Sequence, residues 1–410
     1  MPAEPLLSVA DALARVLAGA AMLGQEHLPL EQCFSRRLAA DLAATRTQPP
    51  MAVSAMDGYA LRAQDCVLAP ARLTLTGESA AGRGFAGELG AGQTVRIFTG
   101  APVPRGADAV LVQERAEVSG NNITALEPVA RGRNIRPAGL DFSTGDVLLR
   151  RGRRLGAPEL ALAAAMNHAV LPVARQPRVA ILATGDELVR PGQMPGPEQI
   201  VASNTFAIAA YVQAAGGIPV DLGIAGDDYA ALERSIHAAK AARADILVTL
   251  GGASVGDHDL VKSALAREGM SLDFWRIAMR PGKPLIHGHL GDMQILGLPG
   301  NPVSSIVCAI LFLQPLVRAL SGDIHAAADL TEPAVLAVDA AANDGREDYM
   351  RSGLSAQPNG PPLVTPFARQ DSSMLRILAE AECLLVRAPH APAALKGEAA
   401  RVIRLDHGWR

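Results

Sequence analysis

Aromatic side chains are scarce. The chain has 8 Phe, 4 Tyr and 2 Trp, 3% of its residues, although 49% are hydrophobic. Its cores must be aliphatic, and it offers few of the stacking platforms that hold single-stranded nucleic acids. An excess of one charge is also lacking. The formal net charge is −3, from 38 Lys and Arg against 41 Asp and Glu. No global basic field draws the chain to DNA or to anionic lipid, so an anionic ligand must be held by local groups. Cysteine occurs four times, as Cys33, Cys66, Cys308 and Cys383, and never as a CxxC pair. Such scattered thiols predict buried, reduced cysteines. The start, Met1-Pro2-Ala3-Glu4, has no basic segment leading into an apolar core, and no run of about 18 uncharged apolar residues occurs. The expectation is a cytoplasmic protein with no membrane and no nucleic-acid partner. A P-loop and an HExxH pair are absent as well. Gly82-Arg83-Gly84-Phe85-Ala86-Gly87 matches the dinucleotide fingerprint by letter, but no helical pattern follows it.

The 410 residues suggest about two to four domains. Ser8 and Asp11 have capping-box-like spacing, and Val9, Leu13, Val16 and Leu17 follow at helical period. A second helix is expected over 30–42. Gln48-Pro49-Pro50 breaks this pattern, and residues 49–141 are rich in Gly and Pro with short β-like runs at 72–76, 95–98 and 109–112. Helix returns at 158–167, with Pro158 suited to a first turn. Residues 1–48 plus 142–176 therefore read as a helical linker domain, and 49–141 as a β-rich insertion.

From Gln176-Pro177 onward apolar runs alternate with helical patterns. Strands are expected at 179–182, 218–222, 246–250 and 295–298, with helices at 205–215, 229–242, 260–267 and 302–320. This alternation predicts an α/β multidomain protein, with a doubly wound, mostly parallel α/β domain at 177–325. Residues 326–410 hold strand-like runs at 333–338, 383–386 and 400–405 and read as a small C-terminal β domain.

Three of these strand ends carry loops with chemical content: Thr184-Gly185-Asp186-Glu187, Gly251-Gly252-Ala253-Ser254-Val255-Gly256-Asp257-His258-Asp259 and Pro299-Gly300-Asn301-Pro302. Glycines let backbone N–H groups approach an anion, and each following helix turns its positive end to the same place. Asn301 suits an N-cap and Pro302 the first helical position. Asp186, Glu187, Asp257 and Asp259 stand beside these glycines, where they would repel a phosphate unless a cation intervened. Mg2+ usually binds through one or two carboxylates plus substrate phosphates, so a bridging Mg2+ is expected. Arg276, Arg280 and Lys283 surround the Pro281-Gly282 turn and are natural partners for an oxyanion. Gly252-Ala253-Ser254-Val255-Gly256 fits a nucleophile elbow by letter, but no Asp and His partners follow at later strand ends, and a phosphate loop is preferred. His287 and His289 lack a third ligand nearby in sequence.

These segments, with Met56-Asp57-Gly58-Tyr59-Ala60, Phe98-Thr99-Gly100, Pro281-Gly282-Lys283-Pro284 and Gly297-Leu298-Pro299-Gly300-Asn301-Pro302, resemble the molybdopterin molybdenumtransferase family. Its eukaryotic relatives include the C-terminal part of gephyrin. The match spans nearly the whole chain. The resemblance implies an elongated homodimer of four-domain subunits. It also implies insertion of molybdenum from molybdate into adenylylated molybdopterin, with a divalent cation and release of AMP, and a molybdopterin adenylyltransferase as transient partner. Carried over by position, the functional acids are Asp57, Asp141, Glu187, Asp227 and Asp259, with Thr99 beside them. Arg276, Arg280 and Lys283 fall near the terminal phosphate and molybdate, and Arg351 and Ser372 match pterin-binding positions.

On this reading Glu187 and Asp259 hold Mg2+. Gly251, Gly252, Ser254, Gly256, Pro299, Gly300, Asn301 and Pro302 form the phosphate cradle, and Asp228 caps the helix after Asp227. Gly139-Leu140-Asp141 departs from the family's Gly-Glu-Asp, Arg276 and Arg280 stand where Lys is frequent, and Asp371 replaces a Gly before Ser372. The competing expectations are a Mg-dependent nucleotide or sugar pyrophosphatase and a gephyrin-like scaffold.

Overall fold

A computed structural model describes residues 6–252 and 260–405. By backbone contacts it divides into two compact units. One comprises residues 27–34 and 40–171; the other comprises 1–26, 35–39 and 172–410.

The smaller unit is built on a six-stranded sheet in the order Ala109–Val112, Gly58–Leu61, Gln93–Ile97, Ala71–Ser79, Asn122–Ala125, Ala116–Ser119. The β-rich reading of this stretch is therefore correct. Gly58 opens its strand, and a Cβ there would lie 1.9 Å from the Leu111 carbonyl oxygen. The Asp-Gly pair thus serves a close approach of two strands more than a turn. Pro158 does lie in the first turn of its helix, Ala157–Ala165.

The helix expected over 30–42 does not form. Only Leu30–Gln32 makes a short 3-10 turn. Beyond it the backbone bonds to distant chain: the Ala39 amide donates to the Pro172 carbonyl, and the Ala174 amide to the Arg37 carbonyl. Tertiary pairing outweighs the weak local helical pattern.

In the larger unit, helix Val9–Leu17 starts as expected, with the Ser8 hydroxyl accepting from the Asp11 amide at 3.0 Å. Its Val9, Ala12 and Val16 are buried in the main aliphatic core. That core surrounds a six-stranded sheet of β1 (Arg178–Thr184), β2 (Ile218–Ala225), β3 (Ile246–Leu250), β4 (Ser271–Arg276), β5 (Pro284–Leu290) and β6 (Met293–Leu298). The order is β2-β1-β3-β6-β5-β4. The first four strands run parallel; β5 is antiparallel to β6, and β4 in turn is antiparallel to β5. The helices are α1 (Asn204–Ala214), α2 (Tyr229–Ala241), α3 (Leu260–Arg267) and α4 (Pro302–Leu320). The doubly wound, mostly parallel domain is therefore present, and β4 and β5 were not anticipated as an antiparallel edge. Alternation of type forces the parallel crossovers, whereas the short Gly291-Asp292 turn between β5 and β6 permits only antiparallel return.

The 19-residue α4 has a mean hydropathy of 1.9, enough to cross a membrane by length and composition, but 83% of its apolar stretch is buried inside the protein. It is the core helix of this domain. All four cysteines are buried thiols; burial raises Cys308 and pushes Cys383 up to about 12.

A second six-stranded sheet contains Glu332–Leu336, Glu347–Ser355, Leu363–Pro366, Cys383–Arg387 and Ala399–Arg404, joined by Met279–Arg280 from the α/β segment. Met279 and Arg280 pair in parallel with Glu347 and Asp348. Leu384 and Ile403 of this module share the main core with the α/β domain.

Candidate active site

The chain leaves β1 for β2 on one side and returns to β3 on the other, so the winding reverses between β1 and β3. Open α/β sheets bind ligands outside the carboxyl ends of the strands at such a point. A cleft of about 680 Å³ lies there, lined by the ends of β1, β3 and β6, by Glu187 and Asp227, and by the Pro299–Pro302 turn. Because Ala183 pairs with Leu250 and Leu250 with Leu298, the three glycine loops emerge side by side.

Backbone geometry explains the glycines. Gly251 has φ +102°, and a Cβ there would meet the Thr184 carbonyl at 2.7 Å. Its amide donates to the Leu298 carbonyl at 3.2 Å, and its Cα lies 3.6 Å from the Cβ position of Gly300. Glu187 folds its carboxylate over Gly185, where a Cβ would come within 2.3 Å of Oε2. The Glu187 carbonyl also accepts from Ile200 at 2.7 Å, which fixes the loop's return. Asp186 accepts from the Asp227 amide at 3.2 Å and so holds the neighbouring loop. Asp228 caps α2 through the Ala231 amide at 2.8 Å, as expected.

Asn301 lines the cleft with its turn, but its side chain and some other expected residues are engaged elsewhere. Asn301 occupies the N-cap position of α4 but makes no side-chain cap bond. Its Nδ2 donates instead to Ser372 Oγ at 3.0 Å, while the Ser372 carbonyl accepts from Val303 at 3.0 Å. Ser372 therefore ties the C-terminal module to the start of α4. Arg351 is buried and committed to the Gln370-Asp371 loop. Asp371 does not adopt a left-handed backbone, and its carboxylate accepts from the Ser373 amide and hydroxyl, so the Gly-to-Asp departure is accommodated.

Arg280 donates to Asp348 at 2.5 Å and to Asp344 at 3.4 Å. The guanidiniums of Arg346 and Arg280 beside Asp344, with the Arg346 amide, hold its carboxyl down at about 2. Arg276 stacks on Trp275 at 3.5 Å, and its Nε is buried without a partner. The Lys283 carbonyl accepts from Ile277. Ser254, Gly256, Asp257 and Asp259 lie outside the described residues.

In the smaller unit, one oxygen of Asp57 accepts from the Thr99 amide at 2.7 Å and from the Thr99 hydroxyl at 2.8 Å. These two bonds, the amide first, hold Asp57 below the usual carboxylate range. Its other oxygen receives none of these bonds. Asp141 is exposed, with its amide donating to Gln48 at 3.0 Å, beside Gly139 at φ +69° and an exposed Leu140.

Among the described residues no three His, Cys, Asp or Glu side chains gather to hold a metal ion. Glu187 and Asp227 line one cleft and offer only hard oxygen donors. Such a pair suits Mg2+, which completes its shell with phosphate oxygens and water. Sequence reasoning missed Asn204, which lines the cleft, and the buried Ser305; together they hold the carbonyls of the Pro299–Asn301 turn. Their only signals were a Ser203-Asn204 pair opening a helix and a hydroxyl one turn into α4.

A switch-point cleft walled by glycine turns and carboxylates defines a doubly wound α/β protein with a ligand site at its strand ends. Three family models match: "MoeA N-terminal region (domain I and II)" over residues 7–167, "Probable molybdopterin binding domain" over 180–319 and "MoeA C-terminal region (domain IV)" over 333–405. The molybdopterin molybdenumtransferase of Haemophilus influenzae is 33% identical over 383 residues, covering 93% of this chain and 94% of that protein. That of Bacillus subtilis is 34% identical over 373 residues, covering 88% and 85%. A crystal structure of the molybdopterin biosynthesis MoeA protein of Pyrococcus horikoshii OT3 superposes with a TM-score of 0.82 at 27% identity, covering 97% and 99%. The chain belongs to the molybdopterin molybdenumtransferase family of enzymes.

Proposed function

We propose that this chain inserts molybdenum from molybdate into adenylylated molybdopterin and releases AMP, with Mg2+ as the required cation. The observation that carries this reading is the placing of Glu187 and Asp227 among three glycine turns at one switch-point cleft. Carboxylates beside an anion-accepting loop need a cation between them and the ligand.

Glu187, with Asp259 as the resemblance implies and Asp227 beside it in the cleft, would hold Mg2+. The ion when bound would neutralise phosphate charge and polarise the bond to be cleaved. The amide of Gly252 and the turn Pro299–Pro302 receive phosphate oxygens, while Gly251, whose amide is given to the Leu298 carbonyl, shapes the loop. Lys283 and Arg276 draw molybdate electrostatically, and Arg280 acts from within its Asp344 and Asp348 pairs. Asp57, held ionised by Thr99, accepts a proton or orients water together with Asp141. Arg351 shapes the pterin wall through its loop, and Ser372 fixes that wall to α4. The enzyme works as a cytoplasmic homodimer and takes its substrate from a molybdopterin adenylyltransferase.

Glu187→Gln keeps the size of the side chain and removes its charge. Metal-stimulated AMP release from adenylylated molybdopterin should fall by about a hundredfold or more. Release that is unchanged, or a wild-type chain that cleaves ordinary nucleotide diphosphates with no response to molybdate, would overturn the reading.

A further inference from the structure

We infer that Asn204 and Ser305 are positioning residues that set the polarity of the Pro299–Asn301 turn, occupying its carbonyls with donors so that the turn presents its amide donors to an anion. The inference rests on the cleft being a phosphate site.

A peptide turn is not intrinsically an anion acceptor, because every amide donor comes with a carbonyl acceptor. Here all three carbonyls of the turn are engaged, by Ser305 from the buried side and by Asn204 from the cleft lining. Ser305 Oγ donates to the Pro299 oxygen at 2.5 Å. Asn204 Nδ2 donates to the Gly300 oxygen at 2.8 Å and to Ser305 Oγ at 3.2 Å. The Asn301 oxygen accepts from the Ser305 amide at 3.0 Å.

The proton count closes. Asn204 has two amide hydrogens and uses both; Ser305 has one hydroxyl hydrogen, given to the nearer carbonyl. The chain therefore runs in one direction, from Asn204 to Ser305 to Pro299. It also fixes the orientation of the Asn204 amide, since only its nitrogen can face the Gly300 carbonyl. Ser305 is fully buried, so water does not compete for the Pro299 carbonyl, whereas the Gly300 bond lies at the exposed edge of the cleft. Asn204 opens α1 and Ser305 belongs to α4. The turn is thus held by two helices that flank the cleft.

The polarity is tested by Asn204→Asp, which has the same shape but cannot donate to a carbonyl. Because its carboxylate would also repel the anion from the cleft lining, Ser305→Ala, outside that lining, must weaken binding too, and wild-type affinity in Ser305→Ala would overturn the inference. Inorganic pyrophosphate is titrated calorimetrically into the full-length wild type, Asn204→Asp and Asn204→Ala, with thermal unfolding as a control. Pyrophosphate affinity should fall about threefold in Asn204→Ala and more than about tenfold in Asn204→Asp. KM for adenylylated molybdopterin should rise in parallel, with kcat changing less than about threefold. Ser305→Ala, which removes the donor to Pro299, should weaken pyrophosphate in the same direction and supplies the answer if the Asn204 variants unfold.

Wild-type affinity in Asn204→Asp, equal loss in the two Asn204 variants, or no pyrophosphate binding by the wild type would overturn the inference. A wild type that binds pyrophosphate in an Asn204-dependent way but releases no AMP would sustain it while removing the proposed reaction.

Discussion

A single oxygen of the Gln370 side chain accepts three N–H groups of Arg351: the backbone amide at 3.0 Å, Nε at 3.1 Å and one terminal nitrogen at 3.0 Å. The other terminal nitrogen donates to the Asp371 carbonyl at 2.6 Å, and Gln370 Nε2 returns a bond to the Arg351 carbonyl at 2.9 Å. Arg351 is only 1% exposed. A planar fork organises this loop, and through Ser372 the loop reaches the start of α4.

Charge alone cannot replace that fork. Arg351→Lys should cost about 2–4 kcal/mol, close to the cost of Arg351→Ala, because an ammonium cannot reach Gln370 and Asp371 together and stays buried. Chemical denaturation of both variants measures this. A lysine variant as stable as the wild type would show that the loop does not depend on the fork.

The Thr99 bonds to Asp57 make a pH prediction. Because the folded-state value of Asp57 is lowered, its favourable contribution is present above the unfolded value and is lost as pH falls through the folded value. Thr99→Val retains the backbone bond and deletes the hydroxyl bond. Asp57 should then titrate at higher pH, and the acid limb of the pH–rate profile should move upward with it. Carbon-detected NMR of the Asp57 carboxyl, compared with the profile, checks both. An unmoved titration would remove the hydroxyl from the account.

Gly58→Ala tests the closest strand approach in the smaller unit. The added Cβ would sit 1.9 Å from a backbone oxygen, and backbone cannot swing aside as a side chain can. A loss of about 3 kcal/mol or more is expected, through separation of Gly58–Leu61 from Ala109–Val112. Limited proteolysis should find new cuts between residues 50 and 140. A variant with wild-type thermal unfolding and an intact fragment pattern would contradict this.

Where local signals were strong, the fold was legible. The apolar run at Ile246–Leu250 and the helical period at Leu260–Arg267 give the observed elements, and the Asp228 cap forms as its residue type predicts. Gly185, Gly251 and Gly252 were legible as backbone positions for the same reason, since positive φ leaves a mark in residue type. The stretch 30–42 was misread because its apolar spacing resembles a helix while its hydrogen bonds go to residues 169–174. Arg280 and Arg351 were legible as cations, but not the partners that occupy them. Asp348 and Gln370 lie 68 and 19 residues away.

The sequence by itself determined the alternation of strand and helix, the aliphatic character of the cores and the residue types of the cleft loops. These follow from side-chain period, backbone freedom and charge, which act within a few residues. Tertiary structure alone decided that the loops after β1, β3 and β6 stand side by side, that Met279 and Arg280 join the C-terminal sheet, and that Asn204 orients a turn almost a hundred residues away. Hydrogen bonds between distant segments depend on how the sheet is ordered, and strand order leaves no local trace in the chain.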